Sequence, residues 1–89
     1  MTNRVAEIER LLRDAFAPHE LLVKDQSHLH AGHAGARDGK GHFDVRIVSD
    51  KFKGHSRIKR HRMVYDALDP LMQSDIHALR ITADTPEDR

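Results

Sequence analysis

Hydrophobic and polar positions follow two different periods along the stretch from Gly41 to Leu68, GHFDVRIVSDKFKGHSRIKRHRMVYDAL. In HFDVRIV, Phe43, Val45 and Ile47 share one side of an extended chain and His42, Asp44 and Arg46 share the other, which predicts a half-buried strand. Val48 departs from the alternation only at its end. The following SDKFKGHS supplies turn formers, with Gly54 free to take positive φ and Ser56 placed to cap a helix. From Ser56 onward the period becomes helical. At 100° per residue, Ile58, His61, Val64, Tyr65, Leu68 and Met72 fall within roughly a third of the circumference, and Lys59, Arg62 and Asp66 lie opposite. His61 stands in the middle of that stripe, which predicts a buried imidazole hydrogen-bonded to backbone.

Before this stretch, Val5, Ile8, Leu12 and Ala15/Phe16 recur at spacings of three and four, predicting an amphipathic helix over about 4–16. Thr2 or Asn3 can cap it and Pro18 stops it. HELLVKDQS, about 19–27, is short and places Leu21 and Val23 on one face of a first strand. From 28 to 40 the chain reads HLHAGHAGARDGK, with no apolar period, and predicts a long histidine- and glycine-rich loop. After the central helix, Asp69-Pro70 fits an N-cap and the first residue of a further helical turn. IHALRITA predicts a third strand with His77, Leu79 and Ile81 on one face and Ile76, Ala78 and Thr82 on the other. The polar tail, 84–89, is expected to fray. The chain is therefore expected to be one α+β domain over 1–89, ordered αββαβ. An antiparallel hairpin and a helical crossover give a three-stranded mixed sheet, covered on one face by the two main helices.

Composition narrows the chemistry. With 89 residues, 38% hydrophobic and 33% charged, the chain suits one small globular domain with a thin core. No apolar run reaches a membrane span and no signal-peptide pattern opens the chain, so no membrane partner is expected and a cytoplasmic location is the default. The absence of cysteine removes disulfides, thiolate nucleophiles and thiolate ligands, leaving eight histidines as the soft donors. A net charge of +1 decides nothing by itself, but Lys51, Lys53, Arg57, Lys59, Arg60 and Arg62 form a run with no acid between Lys51 and Arg62. No acidic pair, Ser-His-Asp order or phosphate-binding glycine loop has a credible context, so no enzyme is expected.

The pattern F-x-G-x-S-x-x-x-RHR-x-VY over Phe52–Tyr65, followed by HAL-x-I from His77, resembles the BolA family. Supporting matches lie in the first helix and in DQSHLHAGHAG, so the resemblance covers about Arg4 to Glu87. It implies an αββαβ fold similar to class II K-homology domains. It also implies a non-enzymatic partner of monothiol glutaredoxins, sharing a bridging [2Fe–2S] cluster in iron–sulfur trafficking or iron sensing. Some members are described as DNA-binding transcription regulators.

A cluster of this kind takes four ligands, of which histidine can supply two. The resemblance assigns the partner's cysteine and a bound glutathione to two positions, and gives this chain His77 and a loop histidine. His30, after D-x-S-x-x, matches the family's loop position best, with His33 next. The loop's H-x-H-x-x-H spacing also offers imidazoles to zinc or other divalent ions. The competing class is nucleic acid: the basic turn with Gly54, and the helix carrying Arg57, Lys59, Arg60 and Arg62, suit phosphate on duplex DNA. The turn FKGHSR lacks the GXXG clamp of K-homology domains, however, and stacking aromatics are few. The same run also suits docking on an acidic partner or on the carboxylates of glutathione.

Overall fold

The computed structural model describes residues 4–26 and 41–88. Helix α1 (Arg4–Phe16) leads to strand β1 (Glu20–Asp25), and strand β2 (Gly41–Val48) follows. A 3₁₀ turn at Asp50–Phe52 precedes helix α2 (Arg57–Ala67) and a short α3 (Asp69–Met72). Strand β3 (Ile76–Asp84) and a second 3₁₀ turn at Pro86–Asp88 close the chain. The sheet order is β1-β2-β3, with β1 antiparallel and β3 parallel to β2, so the predicted three-stranded mixed sheet is present.

Ile8, Leu12 and Phe16 of α1 are buried and join Phe43, Val45 and Ile47 of β2, Val64 and Leu68 from the α2 region, and Ile81 and Ala83 of β3 in one cluster. Each fully buried Ile or Leu contributes about 1.5–3 kcal/mol over an exposed one. Helix α1 ends where expected: Ala17 takes φ 43°, a left-handed conformation, and donates its N–H to Arg13 O at 3.0 Å, after which Pro18 forbids another turn. Gly54 has φ 78° and Ser56 caps α2, its Oγ accepting from Lys59 N at 3.1 Å, both as the sequence predicts. The capping expected of Thr2 or Asn3 lies outside the described residues.

Four expectations are corrected. Ile58 is 70% exposed and Tyr65 is 39% exposed, so the inward stripe of α2 is rotated from the predicted one. It runs instead through Arg60, Val64, Ala67 and Leu68, and His61 is half-buried at its margin rather than enclosed. Asp69 is the first residue of α3, not its cap; Leu68 occupies the cap position with no side-chain bond. Ile76 is buried whereas His77 is exposed, the reverse of the parity expected from β3. The reason is a bulge: Gly41 pairs with Ile76 and His42 with Ala78, leaving His77 as an extra residue in the ladder.

The tail, expected to fray from 84, is held through Asp88. Thr85 is buried, and the Asp88 carboxylate accepts from Thr85 N at 3.0 Å and from Arg60 Nη1 at 2.7 Å. Lys53 adds an ion pair to Glu87 at 2.9 Å. The contacts to Arg60 and Lys53 are long-range and therefore invisible to a reading of local composition.

Candidate functional site

The face of the sheet away from the helices is lined in rows set by register. Lys24, Asp44 and Arg80 pair across the three strands, as do Leu22, Arg46 and Thr82. One row nearer the loop, Gln26 N donates to His42 O at 2.7 Å and His42 pairs with Ala78. Here Gln26, His42, Asp44, Ala78 and Arg80 line a cleft of about 450 Å³.

At the head of that cleft the bulge turns the His77 ring outward. Its centre lies 5.1 Å from that of His42, with the planes tilted by 55°. His77 is exposed, whereas His42 is half-buried with its Nε2 closed to solvent. Sequence reading placed His42 only on the polar side of β2. The cross-strand register that brings it to His77 depends on the bulge, which no local pattern announces.

His30 and His33, and His28 with them, lie outside the described residues. The stems of their segment are placed, however: Gln26 is bonded to His42, and Gly41 N donates to Asp75 O at 2.8 Å, directly before Ile76 and His77. Among the described residues no three His, Cys, Asp or Glu side chains group closely enough to hold a metal ion. A [2Fe–2S] cluster needs four ligands and accepts two imidazoles on one iron. An exposed imidazole beside the loop stems fits one such ligand, with the remaining donors coming from elsewhere.

The basic run divides in two. Lys53 is paired with Asp50 at 3.5 Å and with Glu87 at 2.9 Å, and its pKa is raised, chiefly by the Glu87 hydrogen bond. Arg60 reaches back from α2 to His55 O at 2.9 Å, Ala83 O at 3.2 Å and Asp88 at 2.7 Å, which makes it a clasp between α2, β3 and the tail. Asp88 is correspondingly held down to about 2, first by the Thr85 backbone N–H and then by Arg60. Lys51, Arg57, Lys59 and Arg62 are exposed and form no ion pair with the described residues, and Gly54 is exposed in the turn between them. His19 hydrogen-bonds Asp50 at 2.9 Å beside this turn and lowers the carboxyl pKa. The acids of the tail were not anticipated as partners of the run.

Residues 12–88 match the family model described as BolA-like protein. SufE-like protein 1, chloroplastic/mitochondrial, of Arabidopsis thaliana is 47% identical over 89 residues; the match takes in 94% of this chain but only 24% of that protein. The DNA-binding transcriptional regulator BolA of Escherichia coli is 42% identical over 74 residues, covering 83% of this chain and 71% of the relative. The solved BolA domain of SufE1 from Arabidopsis thaliana superposes with a TM-score of 0.88 at 43% identity, covering 100% of this chain and 99% of the domain. No helix of the described residues is long and apolar enough to cross a membrane. With the family model spanning most of its length and the same α+β architecture in a solved relative, this chain belongs to the BolA-like protein family.

Proposed function

We propose that this chain is a non-enzymatic partner of a monothiol glutaredoxin and completes, with His77 and a loop histidine, the coordination of a shared [2Fe–2S] cluster. The observation that carries this reading is the bulge at His77, which turns an imidazole out of the sheet beside both stems of the histidine-bearing segment. When bound, the cluster supplies a transferable or sensing iron–sulfur centre. Its other ligands are the partner's cysteine and glutathione, because this chain has no thiolate of its own. His77 presents its imidazole to a partner docked at the cleft, and the His42 ring against it limits its swing. His30, or His33 next to it, supplies the second imidazole. Lys24 and Arg80 on the adjoining face suit an acidic partner or the carboxylates of glutathione.

Anaerobic reconstitution with a monothiol glutaredoxin and glutathione tests this. Titrating in this protein is expected to give a new visible absorption and circular-dichroism spectrum that saturates at one-to-one. His77→Ala should lose that spectrum while far-ultraviolet circular dichroism stays unchanged, and a spectrum insensitive to the substitution would remove His77 from the ligand set.

A second reading, a DNA-binding regulator, draws on the exposed Lys51, Arg57, Lys59 and Arg62 and on the name of the Escherichia coli relative. Phosphate contacts give binding a steep salt dependence, with a slope of about −0.9 per contact on duplex DNA. Lys51→Ala, Lys59→Ala and Arg62→Ala together should flatten the slope by about 3 if each meets a phosphate. Arg60 is left in place because its clasp is structural. Duplex binding that is absent, or indifferent to salt, eliminates this reading.

A further inference from the structure

We propose that His42 and His77 form a two-imidazole chelate for a single divalent transition-metal ion, Zn²⁺ or Ni²⁺, which this chain takes up without any partner. The two residues belong to neighbouring strands, and the bulge is what lets them meet: His42 pairs with Ala78, and the extra residue His77 stands immediately before that pair. Their ring centres are 5.1 Å apart. With a Zn–N bond of about 2.1 Å and each nitrogen about 1.1 Å from its ring centre, two imidazoles at a tetrahedral angle on one ion have centres about 5.2 Å apart. The observed separation matches that of a shared ion, and it also lies in the ordinary range for two tilted rings in contact, so titration with the metal decides between them. The 55° tilt is not that of a parallel stack, so ring edges, where the nitrogens lie, can turn toward a common point.

The surroundings suit a borderline-soft cation more than a hard one. Imidazole is a good ligand for zinc and nickel, whereas magnesium and calcium require oxygen donors in number. His77 is exposed and supplies the movable arm; His42 is half-buried with its Nε2 closed to solvent, and it supplies the fixed arm through its other ring nitrogen. The cleft beside them leaves space for water at the remaining coordination positions. This site shares His77 with the cluster reading but uses His42, on the sheet itself, in place of a loop histidine. An ion seated here occupies the imidazole that a cluster needs, so metal uptake and glutaredoxin pairing exclude one another.

The test is calorimetric titration of the full, tag-free chain with zinc sulfate and with nickel sulfate at neutral pH, in the absence of glutaredoxin and glutathione. One ion per chain is expected. His42→Gln and His77→Ala should each weaken binding by about tenfold or more, whereas replacing His28, His30 and His33 together by Ala should leave it nearly unchanged. Imidazole nitrogen resonances followed by NMR should shift for two histidines only, one of them missing from the spectrum of the His42 variant and the other from that of the His77 variant. Far-ultraviolet circular dichroism of each variant separates loss of a ligand from loss of the fold. Absence of uptake by the parent chain overturns the proposal. So does binding that survives His42→Gln, or binding abolished by the loop substitutions. Because no partner is present, failure of cluster reconstitution leaves this result untouched, and the converse also holds.

Discussion

Ser49→Ala is the substitution whose cost can be worked most directly. Ser49 is 1% exposed, and its hydroxyl donates to Phe16 O at 2.7 Å and accepts from Lys51 N at 3.1 Å. It thereby ties the last carbonyl of α1 to the start of the 3₁₀ turn after β2. Removing the hydroxyl strands a carbonyl next to the buried Phe16 ring, at about 1–3 kcal/mol. Losing the cap costs about 1 kcal/mol more, and the two effects overlap because one atom serves both bonds. A loss of roughly 2–3 kcal/mol is expected, which for a chain of this size lowers Tm by about 10–20 °C. Ser56→Ala is the control, since that hydroxyl makes only an exposed cap bond to Lys59 N and should cost about 1 kcal/mol. Urea unfolding followed by circular dichroism gives both values. If Ser49→Ala costs no more than Ser56→Ala, the Phe16 carbonyl is satisfied by water and the reasoning about a buried orphan fails.

Two more tests concern the end of α1 and the tail. Ala17→Gly relieves a left-handed residue at the end of α1, and the variant should be more stable by roughly 0.5–1 kcal/mol; thermal unfolding that shows no gain would mean that Ala17 is unstrained. Asp88, with a pKa lowered from 3.8 to about 2, contributes stability that is fully present above pH about 4 and is lost as the pH falls toward 2. Asp88→Asn should therefore be less stable than the parent at neutral pH, with the gap closing between pH 4 and 2. A gap that does not depend on pH would show that the Thr85 and Arg60 contacts do not need the charge.

The parts of the fold that depend on local pattern were legible in the sequence. The alternation in β2, the stripe Ile8, Leu12 and Phe16, the positive φ at Gly54 and the Ser56 cap each follow from a few neighbouring residues. The rotated face of α2 was not legible, for two reasons. The predicted stripe ran on into Met72, across the break at Leu68, so its phase was set partly by a different helix. Arg60 was also counted as polar, whereas its stem lies inward and only 16% of its side chain is exposed. The position of His77 follows from one inserted residue in a parallel ladder, and a shift of one residue exchanges the faces of a strand. The tail was misread for the same kind of reason: Glu87 and Asp88 look like a solvated end until Lys53 and Arg60 are brought to them from far along the chain.

The bulge in β3 also separates two demands that usually compete. In a regular strand every position must serve one face or the other, so changing its chemistry disturbs either the packing or the ladder. Residue 77 serves neither, since Ile76 pairs with Gly41 and Ala78 with His42 on either side of it. Substitutions there can alter reactivity while leaving the cost of folding nearly constant, and the domain is to that extent a scaffold with an interchangeable tool at one point.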